Sequence, residues 1–83
     1  METTASASRL EGSGGVKYLV VIEKARNNYS AYVPDLPGCV TTGATRDKVQ
    51  ENIRGAIALH VEGLRADGFP IPEPQTQAEF VEA

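Results

Sequence analysis

The chain has no tryptophan, one cysteine, one histidine and no long apolar run. Each shortage closes off a class of protein. Cys39 has no partner for an internal disulfide, and with His60 it makes a zinc site only if other ligand types or other chains contribute. The longest apolar run, Tyr18–Ile22, falls far short of the roughly 20 residues that a membrane-spanning helix needs. The amino terminus, Met-Glu-Thr-Thr, lacks the basic start and apolar core of a secretory signal. Positive charge is scarce as well. Eight Lys and Arg against eleven Asp and Glu give a net charge of −3, and the basic residues are scattered. Phosphate contacts need clustered cations, so little or no direct DNA binding is expected, whereas a mildly acidic chain suits a basic protein partner. A free cysteine without a targeting signal indicates the cytoplasm and no membrane association.

Size adds a further constraint. A domain of 83 residues buries only about 60% of the surface its unfolded chain exposes. With no disulfide, metal or cofactor expected to staple it, self-association is the common remaining remedy.

Residues 1–15 are rich in Ser, Thr, Ala and Gly and end in Gly12-Ser13-Gly14-Gly15. Such a stretch cannot offset its ordering entropy by apolar burial and reads as a flexible tail. Residues 16–83 form the domain. Val16–Lys24 has strand composition, with Val16, Tyr18, Val20 and Ile22 on one face and Leu19 and Val21 on the other. Arg26-Asn27-Asn28 is a turn signal, Asn being tolerant of the left-handed conformation, and leads into a second strand, Tyr29–Val33. Two prolines then interrupt the ladder, Pro37-Gly38 suiting the centre of a type II turn. Cys39–Thr42 makes a short third strand closed by Gly43, and the short links favour an antiparallel meander.

Thr45 suits a helix N-cap and Asp47 the first turn. Val49, Ile53, Ala56, Ile57, His60 and Leu64 recur at helical spacing, and Gly68 is placed to end the helix. Gly55 and Gly63 weaken its interior and point to close packing against the sheet or a second subunit. Pro70, Pro72 and Pro74 alternate with other residues and predict a stiff, extended connector. Thr76–Val81 alternates in the manner of a fourth strand.

In this order, Tyr29-Ser-Ala-Tyr-Val-Pro-Asp-Leu-Pro-Gly-Cys39, Thr42-Gly43-Ala44-Thr45, the helix Asn52–Leu64, Asp67-Gly68 and Ile71-Pro72-Glu73-Pro74 resemble the HicB antitoxin domain of bacterial toxin–antitoxin pairs. The residues that carry the motif loop are Asp35, Leu36, Pro37, Gly38, Cys39 and Gly43. The resemblance implies an α+β fold of order β-β-β-α-β, an antiparallel sheet with one helix on one face, similar to a partial ribonuclease H fold. It implies a partner too: a small basic HicA-type toxin that cleaves messenger RNA and is masked by the antitoxin. Many such antitoxins carry a second, DNA-binding domain; this chain is expected to have none and to bind operator DNA poorly.

Each chemical reading of a single residue competes with a plainer one. Asp35 is a nuclease carboxylate or a turn-stabilising residue beside prolines; two-metal hydrolysis needs several converging acids, and only Glu23 is otherwise near the early strand ends. Cys39 is a reactive thiol or a small buried hydrophobe, and the second is favoured because no orienting third group accompanies His60. His60 is better explained as a packed ring, with a subunit interface its natural place. No catalytic residue is therefore expected. Glu51 and Glu62 are candidate contacts to a basic toxin, set against an ordinary solvated surface. Leu19, Val21 and Tyr32 are candidates for an oligomer interface, since one helix leaves that sheet face uncovered. The expected function is an antitoxin that binds and masks a toxin, as a homodimer or a dimer of dimers. The competing function is a homo-oligomeric regulatory or ligand-binding module without a toxin.

Overall fold

The computed structural model describes Ala5–Ser6 and residues 16–83. Four antiparallel strands lie in sequence order: β1 (Ala5–Ser6), β2 (Val20–Lys24), β3 (Tyr29–Tyr32) and β4 (Val40–Gly43), followed by one helix, α1 (Arg46–Ala66). The fold class is α+β, with the expected meander and a single helix across one face.

The register fixes which side chains share that face. Ile22 pairs with Ala31 and Ala31 with Thr41, while Val21 pairs with Tyr32 and Tyr32 with Val40. Because successive strand residues point to opposite faces, the first row faces the helix and the second faces away. Tyr18, Val20, Ile22, Ala31 and Val33 are buried beneath Val49, Ile53, Ile57 and Val61 of α1, with Leu36 and Cys39 closing the end of the core. The helix buries a row spaced every fourth residue. Val61 therefore belongs to the core, while Ala56, His60 and Leu64, expected on the stripe, sit half-buried on its flank.

Capping sets the helix ends. The Lys48 N–H donates to Thr45 Oγ1 at 3.0 Å, the N-cap bond that the sequence predicts. At the other end Gly68 takes φ +76°, its N–H reaching Arg65 O at 3.1 Å while the Phe69 N–H reaches Leu64 O at 2.9 Å. This is a Schellman closure, and it needs a residue free to adopt the left-handed region.

Four expectations change. Ala5–Ser6, within the expected flexible tail, forms a strand on the outer edge of β2, with Ala5 opposite Val21 and Ser6 opposite Val20. A polar tail has as many backbone donors and acceptors as any other segment, and an open edge presents unpaired ones. The rest of that tail lies outside the described residues. The expected final strand is absent among the described residues: 69–83 run without strand pairing. The turn at residues 25–28 closes through the Ala25 N–H on Asn28 O at 2.8 Å, and no non-glycine residue among those described has positive φ, so the asparagines do not need the left-handed conformation. Gly55 and Gly63 have nothing within 4 Å of a notional Cβ, so neither serves close packing in the single chain.

Gly43 does serve it. A Cβ there would lie 2.5 Å from the Val49 nitrogen and 2.7 Å from its Cα, both backbone atoms that cannot rotate away. The helix thus rests on β4 with no room for a side chain, and Asn52 Nδ2 ties the same corner to Thr42 O at 2.9 Å. Gly43→Ala is expected to lower the denaturant midpoint by the equivalent of about 1–3 kcal/mol, the usual cost of overpacking. Gly55→Ala, which meets open space, is expected to raise it.

Candidate functional site

The loop between β3 and β4 holds most of the residues that the sequence singles out. Three backbone bonds fold it on itself: Leu36 N–H to Val33 O at 3.0 Å, Cys39 N–H to Leu36 O at 3.0 Å and Val33 N–H to Cys39 O at 3.1 Å. The second closes the expected type II turn, with Pro37 and Gly38 at its centre and Gly38 at φ +86°. The first swings Leu36 inward, where its side chain is fully buried. Cys39 is buried beside it, and burial pushes its thiol above the ordinary range. That makes Cys39 a poor nucleophile and a good core residue. His60 and Cys39 both line a shallow groove between α1 and β4, yet no hydrogen bond joins them among the described residues.

Asp35 points outward from this loop and has a definite task. Its carboxylate accepts from the Gln75 N–H at 3.0 Å, the Thr76 N–H at 3.0 Å and Thr76 Oγ1 at 2.9 Å. Forty residues downstream, the chain is thereby pinned to the end of the sheet. A second tether sits a few residues earlier: the Tyr18 hydroxyl donates to Pro72 O at 2.6 Å. Ile71 packs against the core between the helix end and these bonds. The prolines at 70, 72 and 74 keep the connector extended, as the sequence predicts, so that its carbonyls and N–H groups are presented to Tyr18 and Asp35. Sequence reasoning found Asp35 but not its role, because the partner lies in a segment with which it shares no local pattern.

Electrostatics follow the contacts. The Thr76 backbone N–H, helped by the Thr76 hydroxyl and the Gln75 N–H, holds the Asp35 carboxyl below its ordinary range, with burial opposing. Tyr18 is raised, first by burial and then by the nearby Asp35 and Glu73 charges. Among the described residues no three His, Cys, Asp or Glu side chains gather in a metal-holding group.

The face of the sheet away from α1 is the second candidate. Val21 and Tyr32 lie directly opposite each other there, with Val40 next in the row. Leu19 and Val21 are half-buried and Tyr32 is exposed, so the three residues expected to share this face have no helix over them. Val40 escaped the sequence reading; the register puts it in the row, but a strand of four residues gives no alternation long enough to assign it. Glu51 and Glu62 are both exposed on the outer side of α1. Glu51 approaches Lys48 at 3.8 Å, and Arg54 and Arg65 are also exposed on α1, so the helix surface mixes both signs.

Comparison with known proteins matches residues 18–83 to the family described as HicB-like antitoxins of bacterial toxin–antitoxin systems. A UPF0150 protein of Thermoplasma acidophilum is 36% identical over 69 residues, covering 82% of this chain and 100% of that protein. An uncharacterized 14.9 kDa protein from the rep–hol intergenic region of Haemophilus phage HP1 is 33% identical over 64 residues, 77% of this chain. The chain spans about half of that phage protein, 48% of its length. Among solved structures, a chain of a HicA3 and HicB3 toxin–antitoxin complex superposes with a TM-score of 0.63 and 35% identity, covering 72% of this chain and 70% of that one.

Asp35 titrates lower in the folded chain than in the unfolded one. The clamp's contribution is therefore complete above the ordinary aspartate value of about 4 and is lost as pH falls through the depressed folded value. Amide exchange at Gln75 and Thr76 is expected to be slow near neutral pH relative to the adjacent arm, and to lose that protection selectively in acid. Asp35→Ala is expected to remove it at every pH while the amides of Val20 and Ala31 stay protected. Equal protection in wild type and variant would show that the clamp does not hold the segment.

Proposed function

The chain belongs to the HicB-like antitoxin family, and from that membership we propose that it binds and masks a small HicA-type toxin without performing chemistry of its own. The observation that carries this reading is the match, at 35% identity, to a chain of a toxin–antitoxin complex. Charge is in keeping with a basic partner. The engagement of Asp35 supports a reading without hydrolysis: a carboxylate already accepting three hydrogen bonds is poorly placed to hold metal ions, and among the described residues no metal-holding cluster includes it. Among the described residues no helix is long and apolar enough to cross a membrane. We place the encounter in the cytoplasm, with Glu51 and Glu62 as candidate toxin contacts, residues 16–83 as the binding domain and operator DNA bound weakly.

Self-association belongs to the same proposal. Leu19, Val21 and Tyr32, with Val40 beside them, make an apolar patch of a kind that antiparallel sheets usually bury, on a face whose next row is Glu23, Ser30 and Thr42. A second copy laid on it through a twofold axis covers both faces at once.

Co-expression with a small basic protein encoded beside this chain is expected to rescue growth and to yield a co-purifying complex; an inert neighbour, or one that does not bind, would remove the antitoxin reading. Pure protein is expected to leave RNA and RNA–DNA hybrids intact with or without divalent metal, and cleavage abolished by Asp35→Asn would overturn the non-enzymatic assignment. In sedimentation equilibrium Leu19→Glu and Val21→Glu are expected to weaken self-association, whereas Gln50→Glu on α1 is expected to leave it unchanged.

A further inference from the structure

The carboxy-terminal arm beyond the Asp35 clamp has the form of a strand without a sheet. Residues 77–83 are exposed throughout, and Phe80 and Val81 are 79% and 81% exposed although both are large and apolar. Tyr18 lies just before β2 and Asp35 just past the end of β3, so the segment held between them crosses the end of the sheet in the direction from β2 to β3, the side on which β4 lies.

The same side carries a sheet edge without a strand. β4 is the last strand in the order, and its outer backbone is unpaired among the described residues. Two exposed apolar side chains flank that edge. Val40, 64% exposed, belongs to the row on the open face; Leu59, 70% exposed, stands on the helix side. Between them runs a groove of about 310 Å³ lined by Gly38, Cys39, Val40, Ala56, Leu59 and the half-buried His60.

We infer that the arm of one copy adds as a strand to the β4 edge of a second copy, and receives that copy's arm in return. Consecutive residues of a strand point to opposite faces. A strand laid on β4 therefore sends Phe80 to one side and Val81 to the other, which is how Leu59 and Val40 are disposed about the edge. Backbone hydrogen bonds supply the pairing and the two side chains the register, as in other strand-addition complexes. Seven residues extend about 23 Å, longer than β4, so the arm is long enough to span a neighbour's edge. Its own β4 does not receive it, since residues 69–83 run without strand pairing.

Area and charge favour the exchange. Phe80 alone offers on the order of 150–250 Å². Two arms with the edges they cover come to roughly the 1,000 Å² that a specific interface requires. Glu73, Glu79 and Glu82 are the only charged residues beyond Gly68, and the remaining eight acids balance the eight bases. Glu79 and Glu82 of the arm thus meet a body, residues 16–76, in which seven acids balance seven bases. This interface adjoins the open sheet face, Val40 belonging to the row there; if both form, they build a dimer of dimers.

Disulfide trapping in the full-length chain tests the exchange, since Cys39 is buried and does not compete. Mixed Phe80→Cys and Leu59→Cys chains are expected to give a heterodimeric disulfide in preference to either homodimer. Deletion of residues 77–83, which leaves the Asp35 clamp intact, is expected to weaken one association step by about tenfold or more, as is Leu59→Lys. Both changes lie on exposed positions, and circular dichroism is expected to show the fold retained. An unaltered association constant after deletion would overturn the exchange. So would failure of the mixed disulfide, or a disulfide within one chain carrying both cysteines at high dilution.

Discussion

A sheet has two faces, and the described residues supply one helix with which to cover them. The helix takes the side built from Tyr18, Val20, Ile22, Ala31 and Val33 and seals it with Val49, Ile53, Ile57 and Val61. The close approach at Gly43, where no Cβ fits, is the local condition for that seal. What remains is an opposite face with Val21, Tyr32 and Val40 in one row and, among the described residues, no element laid over it. A sheet face left to water is normally polar. The uncovered row is thus the feature on which the proposed self-association rests.

The segment Asp35-Leu36-Pro37-Gly38-Cys39 has the look of a site, and the structure uses each residue for architecture. Leu36 fills the core, Pro37 and Gly38 make the turn that puts it there, and Cys39 lies beneath with its thiol raised by burial. Asp35 binds three donors from Gln75 and Thr76. An ionised carboxylate has about four acceptor positions, so most of its capacity is already engaged. A motif that concentrates an acid, a thiol and a flexible glycine therefore works as a latch between the sheet and the carboxy-terminal segment.

Most of the local structure was legible because its causes are local. The Thr45 cap, the Gly68 stop and the Pro37-Gly38 turn each rest on a residue's own conformational or hydrogen-bonding habit. The inward row of β2 and β3 follows from alternation. Val61 was missed because a stripe drawn through His60 and Leu64 also has helical spacing; only packing against the sheet decides which side of a 21-residue helix turns inward. The latch was invisible for a different reason. Asp35 and Thr76 meet across 41 residues of chain, and no periodicity records such a meeting. Nor could composition foresee that Ala5–Ser6 would pair with β2, since the pairing uses backbone groups that every residue carries. Thr76–Val81 has the alternation of a strand and yet forms none, because alternation specifies a shape and a partner edge must still be within reach.

The two edges of the sheet are treated differently, and the distribution of charge follows the same division. β1 covers the edge of β2; β4 is left open among the described residues. On the helix, Lys48, Glu51, Arg54, Glu62 and Arg65 mix signs, so that surface has no strong field of either polarity. The net charge of −3 equals the contribution of Glu73, Glu79 and Glu82, the other acids and bases being balanced. Of these three acids only Glu73 lies in the segment that Asp35 and Tyr18 hold against the end of the sheet; Glu79 and Glu82 lie in the exposed arm beyond it. Long-range attraction acts through the summed charge on the approaching side, and within a Debye length of about 8 Å at physiological salt it acts on whatever that side presents first. The latch thus fixes more than a piece of backbone: it sets where Glu73 stands and where the arm that carries Glu79 and Glu82 begins.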